Sequence, residues 1–362
     1  MEIIHNTKPL PQDGHVLQYF KDHTAFFDIE TTGFSAKTCA VYLIGLVIRN
    51  GKSMEICQYF ADNSKEETEI LAAFHEAIRS VTTLICFNGI NFDLPFLKQR
   101  EEKLHLSFSW ENISFLDIYQ ESRHFLGFLH LPDKKQKTLE NFLGIHREDA
   151  CTGGELISVY RQYEKQPEDS KKSLLLLHNY EDILGMTKLL PILSYCRFFQ
   201  EEPVVENACI EETLPFDADT PVKELRITLS SLPFPRQVSL EKNSFRLVFR
   251  QNHVHLFVQA LEGELYFYYD NYRDYYYLPL EDMAVHKSVA SFVDKSHRKK
   301  ATPDTCYIKR QGLFLPQCSD WFTPCFYPGK KGKSSYFEYR EDFLADTRNL
   351  CRYVKNILSL FI

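Results

Sequence analysis

Residues 24–33 read TAFFDIETTG. The stretch begins apolar and closes on two acids one residue apart. In a strand, side chains two positions apart share a face, so Asp28 and Glu30 project together while Ile29 turns into the core. Both acids fall at the C-terminal end of the strand, where α/β folds place ligands. Paired carboxylates ending an apolar strand repel one another, and a hard divalent cation offsets that repulsion. Thr31, Thr32 and Gly33 follow as a turn.

Outward from this strand, residues 41–48 (VYLIGLVI) form a continuous apolar, β-branched run, as in a buried central strand. Residues 53–60 (SMEICQYF) alternate and suit a third strand, and Asn50-Gly51 between the two runs is a hairpin signal. Ile70, Leu71, Phe74 and Ile78 recur at helical spacing within 65–80. A short strand at 83–87, a helix at 94–104 and a strand at 113–118 leading into a helix come next. Two helices, about 138–144 and 153–164, precede a Leu-rich helix over 171–196. A three-strand meander followed by strand–helix alternation predicts a mixed α/β sheet with helices on its faces.

Two more segments carry chemistry. Asn88-Gly89-Ile90-Asn91-Phe92-Asp93 directly follows the strand at 83–87; Gly89 permits a tight turn, and Asp93 starts the next helix, where a carboxylate also caps free N–H groups. On the Leu-rich helix, His178 and Asp182 are one turn apart on one face. An Asp in mid-helix disfavours the helix slightly and calls for a reason.

Taken together, FFDIETTGFS, FNGINFDLPFL, KTLENFLGI and HNYEDILGMTKLL resemble the exonuclease motifs of the DnaQ-like, or DEDD, branch of the ribonuclease-H-like superfamily, and more closely its YprB-like domain. The resemblance spans residues 20–196. It implies a 3′→5′ exonuclease domain over 1–197, with Asp28, Glu30, Asp93 and Asp182 as catalytic metal ligands for two Mg²⁺ or Mn²⁺ ions. Such ions activate water and relieve charge on the phosphate and the leaving oxygen, and a carboxylate set without Cys suits them better than Zn²⁺. Members of the branch carry Tyr four residues, or His five residues, before the last Asp. Here His178 stands at the four-residue spacing, so it is expected to orient the attacking water or act as base. Thr31, Asn88 and Lys137 are expected to contact substrate, and Asp117 to be an outer-shell ligand or to face water. Glu181 projects about 100° away from Asp182 around the helix and ranks below His178.

Residues 198–222 are acidic, contain prolines and read as a linker. From 223 to 362 the pattern changes to strand-like runs (224–230, 236–249, 253–259, 264–269, 275–278, 305–315) and a closing helix at 340–360. This predicts a mainly antiparallel β domain with a C-terminal helix. Residues 1–220 hold 21 Lys+Arg against 34 Asp+Glu, and residues 221–362 hold 21 against 15. The basic second half carries a Tyr-rich cluster (266–277), a basic stretch including Lys299 and Lys300, and a loop with Lys330, Lys331 and Lys333. Aromatics beside cations are what a single-strand-binding surface uses; tyrosines packing a sheet among solubilising lysines are the plainer alternative.

The chain is 44% hydrophobic and 25% charged, as in globular proteins. Its ten cysteines include no Cys-x2-Cys pair, so a zinc site has no ligand pattern and reduced thiols are expected. With no membrane-length apolar run and no signal-peptide pattern, a cytoplasmic protein acting on nucleic acid (single-stranded DNA or RNA, or a 3′ end) is the expectation. A structure-specific endonuclease and a non-catalytic nucleic-acid-binding protein remain the alternatives.

Overall fold

The computed structural model describes residues 1–149, 151–214, 220–330, 332 and 334–362. Contacts divide it into two units, Met1–Arg197 and Phe198–Ile362. The strands of the first unit are β1 (Glu2–Pro9), β2 (Thr24–Thr31), β3 (Val41–Asn50), β4 (Ser53–Phe60), β5 (Thr83–Cys86) and β6 (Ser114–Asp117). They form one sheet in the order β1-β4-β3-β2-β5-β6. The β1–β4–β3–β2 part is antiparallel, whereas β5 and β6 run parallel to β2. Helices α1 (Gly14–Tyr19), α2 (Glu67–Ala77), α3 (Asp93–Lys103), α4 (Ile118–Leu126), α5 (Gln136–Leu143), α6 (Gly153–Lys165), α7 (Asp169–Leu189) and α8 (Leu193–Gln200) accompany the strands. This is the expected α/β, ribonuclease-H-like mixed sheet flanked by helices.

The alternation of β2 divides its environment. Ala25, Phe27 and Ile29 enter one core with Ile70, Leu71 and Phe74 of α2 and Phe96 and Leu97 of α3. Asp28 and Glu30 lie on the opposite face, which α7 covers. β2 and β5 are parallel, so their C-terminal ends open at the same edge, and the turn after β5 meets the acidic end of β2.

Two expectations change here and a third holds. β1 was not expected: nearly all its side chains are exposed, so it has no apolar periodicity to reveal it, and it is held by pairing with β4. The Leu-rich helix ends at Leu189 instead of running to 196, and Leu190–Ile192 form a 3₁₀ turn. Pro191 explains the break, since it lacks an N–H and its ring crowds the preceding turn. The segment 113–118 does lead into a helix, α4, capped by Asp117.

The second unit holds β7 (Val205–Thr213), β8 (Val222–Ser230), β9 (Val238–Lys242), β10 (Phe245–Arg250), β11 (His253–Gln259), β12 (Leu261–Tyr268), β13 (Tyr275–Leu278), β14 (Met283–His286), the short helix α9 (Lys287–Ala290), β15 (Lys299–Lys300), β16 (Tyr307–Gln317), β17 (Ser335–Glu338), α10 (Asp342–Ala345) and α11 (Thr347–Leu358). The strands make sheets in the orders β7-β8-β11-β10-β9, β12-β16-β17 and β14-β13-β15, with every pair antiparallel. This part is β-rich and antiparallel, as expected.

The stretch expected as a linker contains β7, an edge strand paired with β8; its acidic, half-exposed composition hides it. The run 236–249 is two strands, because Asn243 takes a positive φ of 55° and turns the chain. The closing helix divides at Asp346, whose side chain accepts the N–H groups of Arg348 and Asn349 and starts α11.

Candidate active site

Asp28 and Glu30 end β2 on the α7 face. Pairing of β2 with β5 stops at Phe26. The N–H of Ile29 therefore needs another acceptor and donates to Asp93 Oδ1 at 3.1 Å. That bond ties the first residue of α3 to the acidic end of β2. A register shift between Glu30 and Thr31 marks a bulge, which re-aims the strand end. Asp93 and Glu30 are buried, and Asp28 is half-buried. The turn that carries Asp93 is pinned by Asp117, whose carboxylate accepts the N–H groups of Asn88 (2.8 Å) and Ile90 (3.1 Å) as well as capping α4.

Helix α7 supplies three contacting residues, His178, Asn179 and Asp182. Asn179, fully buried, donates from Nδ2 to Asp28 Oδ2 at 3.0 Å and accepts from Gln58 Nε2 at 3.0 Å. The close approach requires Gly45, which pairs with Asp28 across the ladder: a Cβ there would lie 2.4 Å from Asn179 Oδ1. His178 is buried; its Nδ1 is 2.6 Å from Asp149 Oδ2, and its Nε2 is 3.1 Å from Asp182 Oδ2 and 3.6 Å from Glu30 Oε1. Asp182 gives its other oxygen to Arg147 Nη1 at 2.5 Å.

Arg147 and Asp149 belong to the loop between α5 and α6. Arg147 is also ion-paired with Glu140 of α5, which is buried. Gly185 of α7 makes room for that pair, because a Cβ there would meet Glu140 Oε1 at 1.9 Å. Glu181 holds the loop by accepting the N–H groups of Glu148 (2.9 Å) and Asp149 (2.8 Å). Asp149 itself accepts from Lys137 Nζ at 2.7 Å and from the Cys151 N–H at 2.8 Å.

The electrostatics follow from crowding like charges away from water. Loss of hydration, then the nearby charges of Asp182, Asp93 and Glu30, push the Asp28 carboxyl well above its ordinary value. Glu30 is raised likewise, by burial first and then by Asp182, Asp93 and Asp149. Burial carries Asp93 up to about 7, against the N–H of Ile29. Burial would raise Asp149 too, but Lys137, the Cys151 N–H and His178 outweigh it and hold it below the usual carboxylate range. Carboxylates that resist ionising together in a pocket of oxygen donors fit a divalent cation, whose charge removes the conflict. The donor atoms of Glu30, His178 and Asp182 lie within 4.8 Å of one another, with Asp28 and Asp93 beside them.

Of the residues expected from sequence, Asp28, Glu30, Asp93, Asp182 and His178 come together in this cluster. Asn88 lines a neighbouring groove of about 550 Å³ with Phe87, Asn91, Tyr119, Arg123 and Lys134. The positive φ of its turn falls on Asn88 itself (60°) rather than on Gly89; Asn is the side chain that tolerates it best. Thr31 is buried and its hydroxyl donates to the Gly33 carbonyl at 2.9 Å. Lys137 is engaged by Asp149 and the Cys151 carbonyl. Asp117, expected at the outer shell or in water, is a buried brace of the Asn88 turn.

Lys299 and Lys300 belong to the second unit, exposed on β15 opposite Tyr277 and Tyr276. Among their neighbours, Tyr277 and Tyr307 both donate to Asp282, and Lys309 pairs with Asp282 and Glu264. Tyr269 stacks on Tyr275. Many of these tyrosines and cations thus satisfy one another within the sheets. Lys330 is paired with Asp304; Lys331 and Lys333 lie outside the described residues.

Sequence reasoning missed Arg147, Asp149, Glu140 and Asn179. The first two sit in an irregular charged stretch, His146-Arg147-Glu148-Asp149, that reads as a solvated loop. Asn179 carried a usable signal: an amide on the covered side of a Leu-rich helix must find buried partners.

Residues 25–194 match the family model of the RNase_H superfamily. None of the curated proteins compared matches the chain. Among solved structures, the chain is similar to the family B DNA polymerase of the archaeon Pyrobaculum calidifontis (TM-score 0.37, 13% identity, covering 67% of this chain and 33% of the polymerase). It is also similar to exonuclease I (0.32, 12%, 57% and 55%) and to the EXO domain of Aedes aegypti Nibbler (0.32, 12%, 50% and 83%). The chain therefore spans about a third of the polymerase and about half of exonuclease I. Among the described residues, no helix is long and apolar enough to cross a membrane.

Proposed function

We propose that the RNase H-like domain is a metal-dependent nuclease that hydrolyses phosphodiester bonds of DNA or RNA, as a 3′→5′ exonuclease. The observation that carries this reading is the convergence of Asp28, Glu30, Asp93 and Asp182, from one strand end and two helices, into one largely buried acidic cluster. Mg²⁺ or Mn²⁺ ions held there, two in the full form of the proposal, would supply water activation and charge relief at the phosphate.

The chain's own residues supply the geometry. Asn179 fixes Asp28, the Ile29 N–H fixes Asp93, and Arg147 fixes one oxygen of Asp182, so the donor set is held before anything binds. The groove beside Asn88 suits the end of a nucleic-acid strand: Phe87 and Tyr119 offer faces for a base, and Arg123 and Lys134 offer cations for phosphate.

The test is cleavage of end-labelled single-stranded DNA and RNA with Mg²⁺ or Mn²⁺. We expect stepwise shortening from the 3′ end, abolished by Asp28→Ala and by Asp182→Ala with the fold retained. Internal cuts would point to the endonuclease reading. Cleavage unchanged in either variant would remove the proposed site.

One observation favours a non-catalytic, nucleic-acid-binding reading: Arg147 already neutralises Asp182. Strand binding without cleavage and without Mn²⁺ uptake would decide for it.

A further inference from the structure

His178 stands directly against two of the acids. It is 5% exposed, and its Nε2 faces two carboxylates, Asp182 Oδ2 at 3.1 Å and Glu30 Oε1 at 3.6 Å. Donor atoms that share an ion at about 2.0–2.2 Å lie about 2.8–3.6 Å apart at octahedral or tetrahedral angles. Both separations match that range.

The ring is also held the way a ligand imidazole is held. Asp149, whose side chain is wholly buried, takes N–H groups from Lys137 and Cys151 and lies 2.6 Å from His178 Nδ1. A carboxylate so surrounded by donors is an acceptor, so it holds the Nδ1 side of the ring and leaves Nε2 as the atom facing Glu30 and Asp182. A carboxylate behind the remote nitrogen fixes the tautomer and ring orientation of metal-bound histidines. Arg147 contributes by taking Oδ1 of Asp182, which leaves Oδ2 as the oxygen beside Nε2.

We infer that His178 Nε2 is a metal ligand, completing a Glu30–His178–Asp182 site, and that Asp149 is the residue positioning it. This rests on the proposed metal-binding reading of the acidic cluster and replaces the water-orienting role expected from the spacing. A nitrogen donor among carboxylates shifts preference from Mg²⁺ toward Mn²⁺ and later first-row ions.

The test is Mn²⁺ binding to the full chain, followed by calorimetry and by pulsed electron paramagnetic resonance, which detects nitrogen bonded to Mn²⁺. We expect a directly coordinated nitrogen in the unaltered protein, absent in His178→Gln. Asp149→Asn should keep the nitrogen signal and weaken Mn²⁺ binding about 10–100-fold, with a smaller loss for Mg²⁺. The measurement on the unaltered protein stands even where a variant folds poorly. Bound Mn²⁺ without nitrogen coupling, or His178→Gln binding Mn²⁺ as tightly as the unaltered chain, overturns the inference and leaves the acidic site intact. No Mn²⁺ uptake at all overturns both the inference and the reading beneath it.

Discussion

Asp182 is held from two sides, by His178 on one oxygen and Arg147 on the other, and these partners set what substitutions there will do. Arg147 and Glu140 are nearly inaccessible to solvent, so removing one leaves the other buried and charged, a loss of about 3–5 kcal/mol. Arg147→Gln should therefore lower Tm sharply, and adding Glu140→Gln should restore most of it; thermal melts of the three variants check this, and an unaltered Tm in Arg147→Gln would refute it. The raised carboxylates predict a pH effect. Asp28, Glu30 and Asp93 sit above their unfolded values, Asp93 at about 7, so the folded metal-free protein holds protons that the unfolded chain releases. Stability from these groups is present at low pH and is lost as pH rises from the ordinary carboxylate range through about 7. A cation that ligates them removes that loss, so the rise in Tm caused by Mn²⁺ should be larger at pH 8 than at pH 5.5. An equal or smaller rise at pH 8 would exclude these carboxylates as its ligands. Asp28 and Glu30 were legible because a two-residue period leaves little choice of face. Arg147 and Asp149 were not, because an irregular loop has no period and its charges look solvated.

At the scale of elements, the site depends on a loop clamped to a helix. Glu181, ranked low from its angle around α7, accepts two consecutive N–H groups of the Glu148–Asp149 segment. Its angle away from Asp182 is what lets it reach the loop. Glu181→Ala should speed hydrogen exchange at the Glu148 and Asp149 amides by about tenfold or more, since losing charge-assisted bonds costs about 1.5–3 kcal/mol; unaltered protection would show that the loop is held elsewhere. The same scale explains which elements were foreseen. β2, β3 and β4 carry buried faces and announce themselves, whereas β1 and β7 are edge strands stabilised by their neighbours' backbone and show little in composition. The end of α7 was overrun because Ile192 and Leu193 continue the apolar run past Pro191, and apolar content outweighed the break.

At the scale of the molecule, an acidic RNase H-like unit is joined to an antiparallel unit in which residues 221–362 carry an excess of Lys and Arg and the preceding stretch, 198–220, is acidic. The Tyr-rich stretch of the antiparallel unit is largely spent on its own packing, but Lys299 and Lys300 lie exposed on β15. If they touch phosphates, replacing both with Ala should reduce the slope of log affinity against log salt for a single-stranded oligonucleotide by about 1.4; an unchanged slope would remove them from the interface. The split of charge was visible from composition, and the three-sheet arrangement was not, since short strands of similar composition do not specify their partners. The Glu140–Arg147 pair, finally, constrains how this protein can diverge. Gly185 leaves no space for a side chain beside Glu140, and Glu140 without Arg147 is a buried charge with no cation, whereas Arg147 without Glu140 keeps Asp182. A lineage abandoning the arrangement must neutralise Glu140 before losing Arg147, and only then can position 185 accept anything larger, so the three positions form a historical ratchet in which the order of substitutions matters more than their number.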